Sequence, residues 1–314
     1  MKKILLVNVD SKIKNLALCK IREYYTNKGN IVTETKDNSN TLPIFVDEFD
    51  KIYVSCVFDW NKHKCKKWEG IAQIGGSGYS LEINLPPEIE KLRPKLNFGF
   101  CTRGCPRNCQ WCIVPQKEGK AYIEGDIYDM WNGKSKEITI MDNNTLALPK
   151  HFFKIAAQLK KEKLRVDFNQ GLDFRLLTPE IIKELFSLSF FREIRFSFDH
   201  LSYKPMVIKA LDKLRKGGLK DWQTRWYVYV GTYDTLDTVL ERVNLIRSYK
   251  QLVYLMRDRA VIKKAIYKRA LLEWCNYPGL FKNSEFKPNL SENKRVHNFH
   301  KEQRQNKLGV FKDK

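Results

Sequence analysis

The chain has 314 residues, enough for one large or two unequal domains with real cores. Its eight cysteines do not make a chain of this length a small secreted disulfide scaffold, and no apolar run approaches the roughly 18 residues of a spanning helix. Net charge is +21, from 57 basic and 36 acidic residues, a field that attracts polyanions and nucleic acid above all. The 40 Lys against 17 Arg supply a second source for that charge: an AT-rich genome gives the same bias whatever the ligand, and lysines lack the bidentate fork of arginine.

The start, "MKKILLVNVDSK", is basic and then apolar like an export signal, but the run stops at Val9 and no small-residue cleavage site follows. It is read as a first strand, 3–9, and the protein as soluble, cytoplasmic and not bound to a membrane. Residues 15–28 repeat apolar positions at helical spacing before Gly29. "KIYVSCVF" and "GIAQIGGSGY" read as later strands, and the Pro-rich "LPPEIEKLRPK" closes a small open-sheet domain over 1–92.

From residue 97 the alternation restarts. Strands are expected at 97–101, 137–141, 165–168, 193–198, 225–230 and 252–256, with helices near 122–132, 149–161, 178–188, 204–216, 235–248 and 260–275. The fold class is therefore α/β, with six strand–helix units over 93–275 that suit a partial parallel barrel, and a basic extension over 276–314. In parallel barrels the carboxyl ends of the strands build the site. Those ends carry Asp142-Asn143-Asn144, Asn169 to Asp173, Asp199-His200 and Arg257-Asp258.

At the same rim stands "NFGFCTRGCPRNCQWCIVP", with Cys105, Cys109 and Cys112 spaced C-x3-C-x2-C. Reduced thiols in such a run bind metal more often than each other. Structural zinc takes four ligands on two knuckles, and no second C-x2-C or zinc-finger His pair is present. An iron–sulfur cubane on three thiolates instead leaves one iron without a protein ligand. Cys101 precedes the loop and is assigned to the strand end.

The motif "CTRGCPRNCQWCIVP" resembles the cluster loop of the radical S-adenosylmethionine (SAM) superfamily, in particular members with a cobalamin-binding-like front domain and the methylthiotransferases, which share its Thr-Arg-Gly-Cys-Pro lead-in. The resemblance implies that Cys105, Cys109 and Cys112 hold a [4Fe–4S] cluster whose fourth iron is chelated by SAM. An electron from a donor such as flavodoxin or ferredoxin would cleave SAM to a 5′-deoxyadenosyl radical, which abstracts hydrogen from the substrate. Asp142, Asn143 and Asn144 stand where the family often has Gly-Gly-Glu receiving the methionine ammonium. Gly231 and Thr232 stand where a glycine loop approaches adenine, and Trp111 and Ile113 would shield the cluster. Asp173, Arg175 and Asp199 are candidate ribose, carboxylate or substrate contacts, with a local Arg175–Asp173 pair and an Asp199 cap as the alternatives.

The front loop "NVDSKIKNLAL" has Asp10 but neither the histidine nor the glycine of the Asp-x-His-x-x-Gly cobalamin motif, so cobalamin bound through a histidine is not expected, while cobalamin held without that lower ligand stays open; His63 reads as a surface residue. Of the three front-domain cysteines of methylthiotransferases only Cys56 is matched, so no second cluster is expected, and Cys19 reads as core. In the basic extension Phe281, Phe286 and Phe299 lie among Lys and Arg, either to stack bases or to anchor the segment. His297 and His300 make a poor metal pair. The expected substrate is a tRNA or DNA base, with a small metabolite or a peptide as the alternative. A non-catalytic, metal-stabilised binding protein is the reading from another class.

Overall fold

The computed structural model describes residues 1–37, 45–231, 234–257 and 267–287. The chain forms two compact units, Met1–Asn143 and Asn144–Lys314. Both are α/β with parallel strand pairs, as the alternating pattern requires.

The first unit begins with β1 (Lys3–Asn8), α1 (Leu16–Asn27), β2 (Ile31–Lys36), β3 (Lys51–Ser55) and β4 (Gln73–Gly75), in one parallel sheet ordered β2-β1-β3-β4. Strand β1 is central and buried from Ile4 onward, so its alternate side chains feed two cores. Leu5 and Val7 join Ile52, Val54, Cys65 and Trp68 on one face, while Ile4 and Leu6 join Leu18, Ile21 and Tyr53 on the other. Asn15 caps α1 by accepting from the Leu18 amide. The first of these faces is covered by a ten-residue 3-10 segment, Asp59–Trp68, in which only Cys65 and Trp68 are buried. Its four lysines and one histidine among ten residues leave too little apolar surface for an amphipathic α-helix. His63 there is exposed, as read from the sequence.

The rest of this unit carries α2 (Pro87–Glu90), β5 (Phe98–Gly99), β6 (Thr102–Arg103), α3 (Val114–Lys117), β7 (Tyr122–Ile123), α4 (Ile127–Met130) and β8 (Glu137–Ile140). Strand β5 pairs in parallel with β8, Phe98 opposite Thr139. The helix expected over 122–132 is mostly absent. Tyr122 pairs with Arg103 in an antiparallel β6–β7 ladder, and the Asp126–Asp129 capping box starts a helix only at Ile127.

The second unit holds α5 (Pro149–Lys161), β9 (Arg165–Phe168), α6 (Pro179–Ser187), β10 (Ser189–Phe190), β11 (Ile194–Ser197), α7 (Lys204–Lys216), β12 (Thr224–Val230), α8 (Leu236–Ser248), β13 (Leu252–Arg257), α9 (Tyr267–Asn276) and α10 (Pro278–Asn283). Strands β11, β12 and β13 form one parallel sheet, and β9 pairs in parallel with β10. In β12 Thr224, Trp226, Val228 and Val230 are buried, while Arg225, Tyr227 and Tyr229 keep partial exposure, a strict period of two. Thr178 caps α6 with Pro179 at its first position, as expected. Helix α9 is described from Tyr267, and the expected helical residues before it lie outside the described residues. Phe281 is fully buried and meets Trp274 at 5.0 Å between ring centroids, and Phe286 meets the same ring at 5.7 Å. Both phenylalanines are thus anchors rather than base-stacking rings. Phe299, His297, His300 and Asp258 lie outside the described residues. Among the described residues no helix is long and apolar enough to cross a membrane.

Candidate functional site: the cysteine loop and the polar strand ends

The cysteine loop is a closed excursion between β6 and β7. Its neck is fastened by the Thr102–Ile123 and Arg103–Tyr122 pairs and by the Cys105 amide, which donates to the Gly119 carbonyl at 3.0 Å. Each residue of the Thr-Arg-Gly lead-in has a physical task there. The Thr102 hydroxyl and amide both donate to Asp142, at 2.8 and 2.9 Å. Arg103 reaches Glu118 at 3.0 Å on the loop's return and lies over the Phe100 ring at 4.3 Å. Burial works against the Arg103 charge, but Glu118, Glu124 and Glu90 overcome it and raise its pKa. Gly104 has φ +76°, and a Cβ there would lie 2.2 Å from the Lys120 carbonyl oxygen, so only glycine lets the two arms of the neck close.

Within the loop Cys105 and Cys109 are half-buried and Cys112 is exposed, whereas Cys101 is fully buried. The burial difference separates Cys101 from the three motif thiols, but Cys101 lies in the bend between β5, which ends at Gly99, and β6, not at the strand end expected from the sequence. All eight cysteines are thiols. The Arg107 amide points at Cys105 Sγ at 3.4 Å, and the Cys112 amide donates to the Cys109 carbonyl at 3.0 Å, turning the C-x2-C half of the motif. Trp111 and Ile113, beside Cys112, are 39% and 49% exposed, large apolar groups held in solvent next to the thiols. Among the described residues no group of three His, Cys, Asp or Glu side chains is placed to hold a metal ion. The donor chemistry still fits an iron–sulfur group: three soft ligands on one tethered loop, with a backbone amide directed at a sulfur.

Asp142 and Asn143 are not laid out as ligand contacts. The Asp142 carboxylate is 2% exposed and accepts from the Cys101 and Thr102 amides and the Thr102 hydroxyl. Asn143 Oδ1 accepts from the Gly104 amide at 2.9 Å. Together they hold the start of the cysteine loop. The sequence pointed to the right residues and missed this task, because the β6–β7 closure that creates the demand was not legible.

In the second unit Asn144, Asp173 and Arg175 come together. Arg175 grips Asp173 through Nε at 2.6 Å and Nη2 at 3.1 Å, and Asn144 Nδ2 reaches Asp173 Oδ2 at 3.4 Å. The local pair, weighed as an alternative from the sequence, is the observed arrangement. Asp199 accepts from the Tyr229 amide at 3.2 Å. Burial pushes its carboxyl up, against the opposing pull of Ser197, the Tyr229 amide, Arg242 and Arg175. Gly231 closes β12, its amide donating to Asp234 Oδ2 at 2.8 Å. Thr232 lies outside the described residues. The residue that sequence reasoning missed is Arg242 on α8, fully buried, which donates to the carbonyls of Asp199 at 2.6 Å and Tyr229 at 3.0 Å and also holds Asp234. It ties the carboxyl ends of β11 and β12 to the Gly231 turn. Its only sequence signal is an arginine in register with Val239, Val243 and Ile246 on a buried face.

In the front sheet the crevice at the carboxyl ends of β1 and β3, where strand order reverses, is the usual ligand position of an open sheet. Here Asp10 spans it, accepting from the Val57 and Phe58 amides at 2.9 Å each and from Asn61 Nδ2 at 3.2 Å. Cys56 is fully buried beside Cys65, and burial with the neighbouring Cys65 and Asp10 drives its thiol well above the usual range. A thiol held protonated in this way is a poor metal ligand.

Over 147 residues, 43% of this chain and 30% of the other protein, the chain is 29% identical to the bacteriochlorophyllide d C-12(1)-methyltransferase of Chlorobaculum tepidum. The chain thus spans about a third of the length of that relative. No family model matches, and no solved structure matches.

Proposed function

We propose that the protein is a radical SAM enzyme, with Cys105, Cys109 and Cys112 as the ligands of one [4Fe–4S] cluster. The observation that carries this is the C-x3-C-x2-C run on a loop whose neck is closed by the Thr-Arg-Gly lead-in. Similarity to a methyltransferase supports a transferase that draws on SAM. When bound, the cluster with SAM supplies reductive cleavage of SAM. The chain's own part is positional. Asp142 and Asn143 fix the loop's start, the Arg107 amide stabilises charge on Cys105, and Trp111 and Ile113 set exposed apolar surface beside Cys112. The Asp173–Arg175 pair, Asp199 and the Gly231 turn are proposed to face the ribose and adenine. The partial six-unit barrel behind a cobalamin-binding-like sheet is the fold that belongs to this proposal. A donor such as flavodoxin or ferredoxin is the proposed electron source.

For the substrate, the net charge of +21 supports a nucleic-acid base, while the pigment in the relative's name supports a small molecule. Anaerobic reconstitution tests the chemistry. The expected result is about four irons and matching sulfide per chain, the content of one cubane, with 5′-deoxyadenosine formed from SAM under reduction. One zinc and no sulfide would replace the proposal with a structural metal loop.

A further inference from the structure

The second unit carries a cleft of about 330 Å³ on the open face of the β11-β12-β13 sheet, lined by Arg195, Arg225, Tyr227, Tyr254, Met256 and Gln170 beside Asn169. Its size lies at the small end of the range of about 300–1,000 Å³ found for small-molecule sites. The sheet register sets its layout. Arg195 stands opposite Arg225, and two residues further along Tyr227 stands opposite Tyr254. Two residues of parallel strand rise by about 6–7 Å, so a guanidinium row and a phenol row face the cleft roughly one aromatic ring apart.

The tyrosine rings meet edge to face at 5.8 Å and 74°, which leaves an exposed ring face on Tyr254. The Tyr227 hydroxyl donates to the Asn169 carbonyl at 3.3 Å and so is fixed. Each arginine is anchored from behind by one nitrogen. Arg195 Nη1 serves Asp167 and the Phe168 carbonyl, and Arg225 Nη2 serves Glu193 at 2.7 Å. Arg225 Nε is buried and has no acceptor among the described residues. A buried N–H of a charged group without a partner costs free energy that a bound acceptor would recover. Neither Asp167 nor Glu193 lines the cleft, and no other carboxylate does among the described residues.

We infer that this cleft is a binding site for a small aromatic carboxylate of one or two rings, its ring on Tyr254 and Tyr227 and its carboxylate on the Arg195–Arg225 row. Two anchored forks side by side suit the planar, two-oxygen acceptor of a carboxylate. A soft Met256 wall and the Gln170 amide at the rim tolerate variation in the ring. The site concerns binding and stands whatever the chemistry of the cysteine loop.

The test is ligand-observed NMR and calorimetry on the full chain with benzoate and indole-3-carboxylate, each against its neutral carboxamide, and with guanosine and inorganic phosphate as rivals. The carboxylates are expected to bind at least about tenfold more tightly than their amides, the usual margin of a charge-assisted bond. Arg225→Gln and Arg225→Lys should each lose about tenfold, since lysine cannot replace the fork. Tyr254→Leu, a change at a residue 40% exposed, tests the ring contact without threatening the fold and should cost several-fold. Equal binding of carboxylate and amide, no carboxylate binding at millimolar concentration, or tighter binding of guanosine or phosphate would overturn the assignment. So would full affinity in Tyr254→Leu.

Discussion

Asp142 meets three donors at the start of the cysteine loop, and a buried donor left without an acceptor costs about 1–3 kcal/mol. Asp142→Ala is expected to lower stability by about 3 kcal/mol in chemical denaturation and to reduce iron uptake on reconstitution. Asp142→Asn, which keeps one oxygen acceptor, should fall between the two. A loss under about 0.5 kcal/mol, the level of an ordinary surface change, would remove the bracing role. Gly104→Ala places a methyl against the Lys120 carbonyl at a positive φ, and should open the neck while leaving the front sheet folded. Asp199 gives a pH test. Its folded carboxyl lies above the ordinary value of about 3.9, so the folded chain binds the proton more tightly than the unfolded one. Stability from this residue is therefore lost as pH rises from the ordinary carboxylate value through the raised one. Asp199→Asn, whose amide oxygen still accepts from Tyr229, should melt higher than wild type at pH 8 and equal to it near pH 4. Equal melting at both values would rule out the burial cost.

At the level of elements, helix α8 does more than cover the sheet. Arg242 carries its charge to the carboxyl ends of β11 and β12 and is the shared donor for Asp234 and two strand-end carbonyls. Asp234 keeps some exposure, so the cost of losing the guanidinium lies mainly in the strand-end carbonyls left without a donor, at about 1–3 kcal/mol for each buried group. Arg242→Met is expected to lose that much, and Arg242→Lys to recover only part, since an ammonium cannot span the same acceptors. Thermal unfolding would show it as a drop of several degrees, and faster amide exchange at Tyr229 and Gly231 would mark the loosened rim. The β6–β7 neck is the other element of consequence. Two-residue strands carry almost no periodic signal, so 122–132 read as one helix. What fixes them is pairing over a separation of some twenty residues in sequence, together with the glycine at their crossing.

For the whole molecule, one cluster and not two is the expected content. Cys105→Ala, Cys109→Ala and Cys112→Ala should each lose the brown colour and SAM cleavage, while Cys101→Ala, at a fully buried position, should keep both. Full cluster content in Cys109→Ala would reject the ligand set. The charge of +21 gives an independent measurement. If nucleic acid is the substrate, log affinity falls against log salt by roughly 0.7–0.9 per phosphate neutralised. The chain cut after Lys287 keeps Phe281, Glu285 and Phe286, which hold the end of the second unit through Trp274 and Arg247. That truncation should flatten the slope without altering iron content. An unchanged slope would separate the basic extension from substrate binding.

The α/β alternation was legible from residue order alone, because period-two and period-3.6 apolar patterns act locally: 165–168, 149–161 and 204–216 fall where the pattern put them. So was the cysteine run, since ligand spacing is itself a sequence property. Which polar residues serve the backbone and which face a ligand was decided only in three dimensions. Asp142, Asn143 and Asp10 all read as candidate contacts or motif remnants, and each is spent on amides that the fold brings to it. A buried N–H must find an acceptor, and which carboxylate stands beside it depends on chain segments far apart in sequence. The same holds for the Arg195–Arg225 row, which exists only because two parallel strands pair in one register.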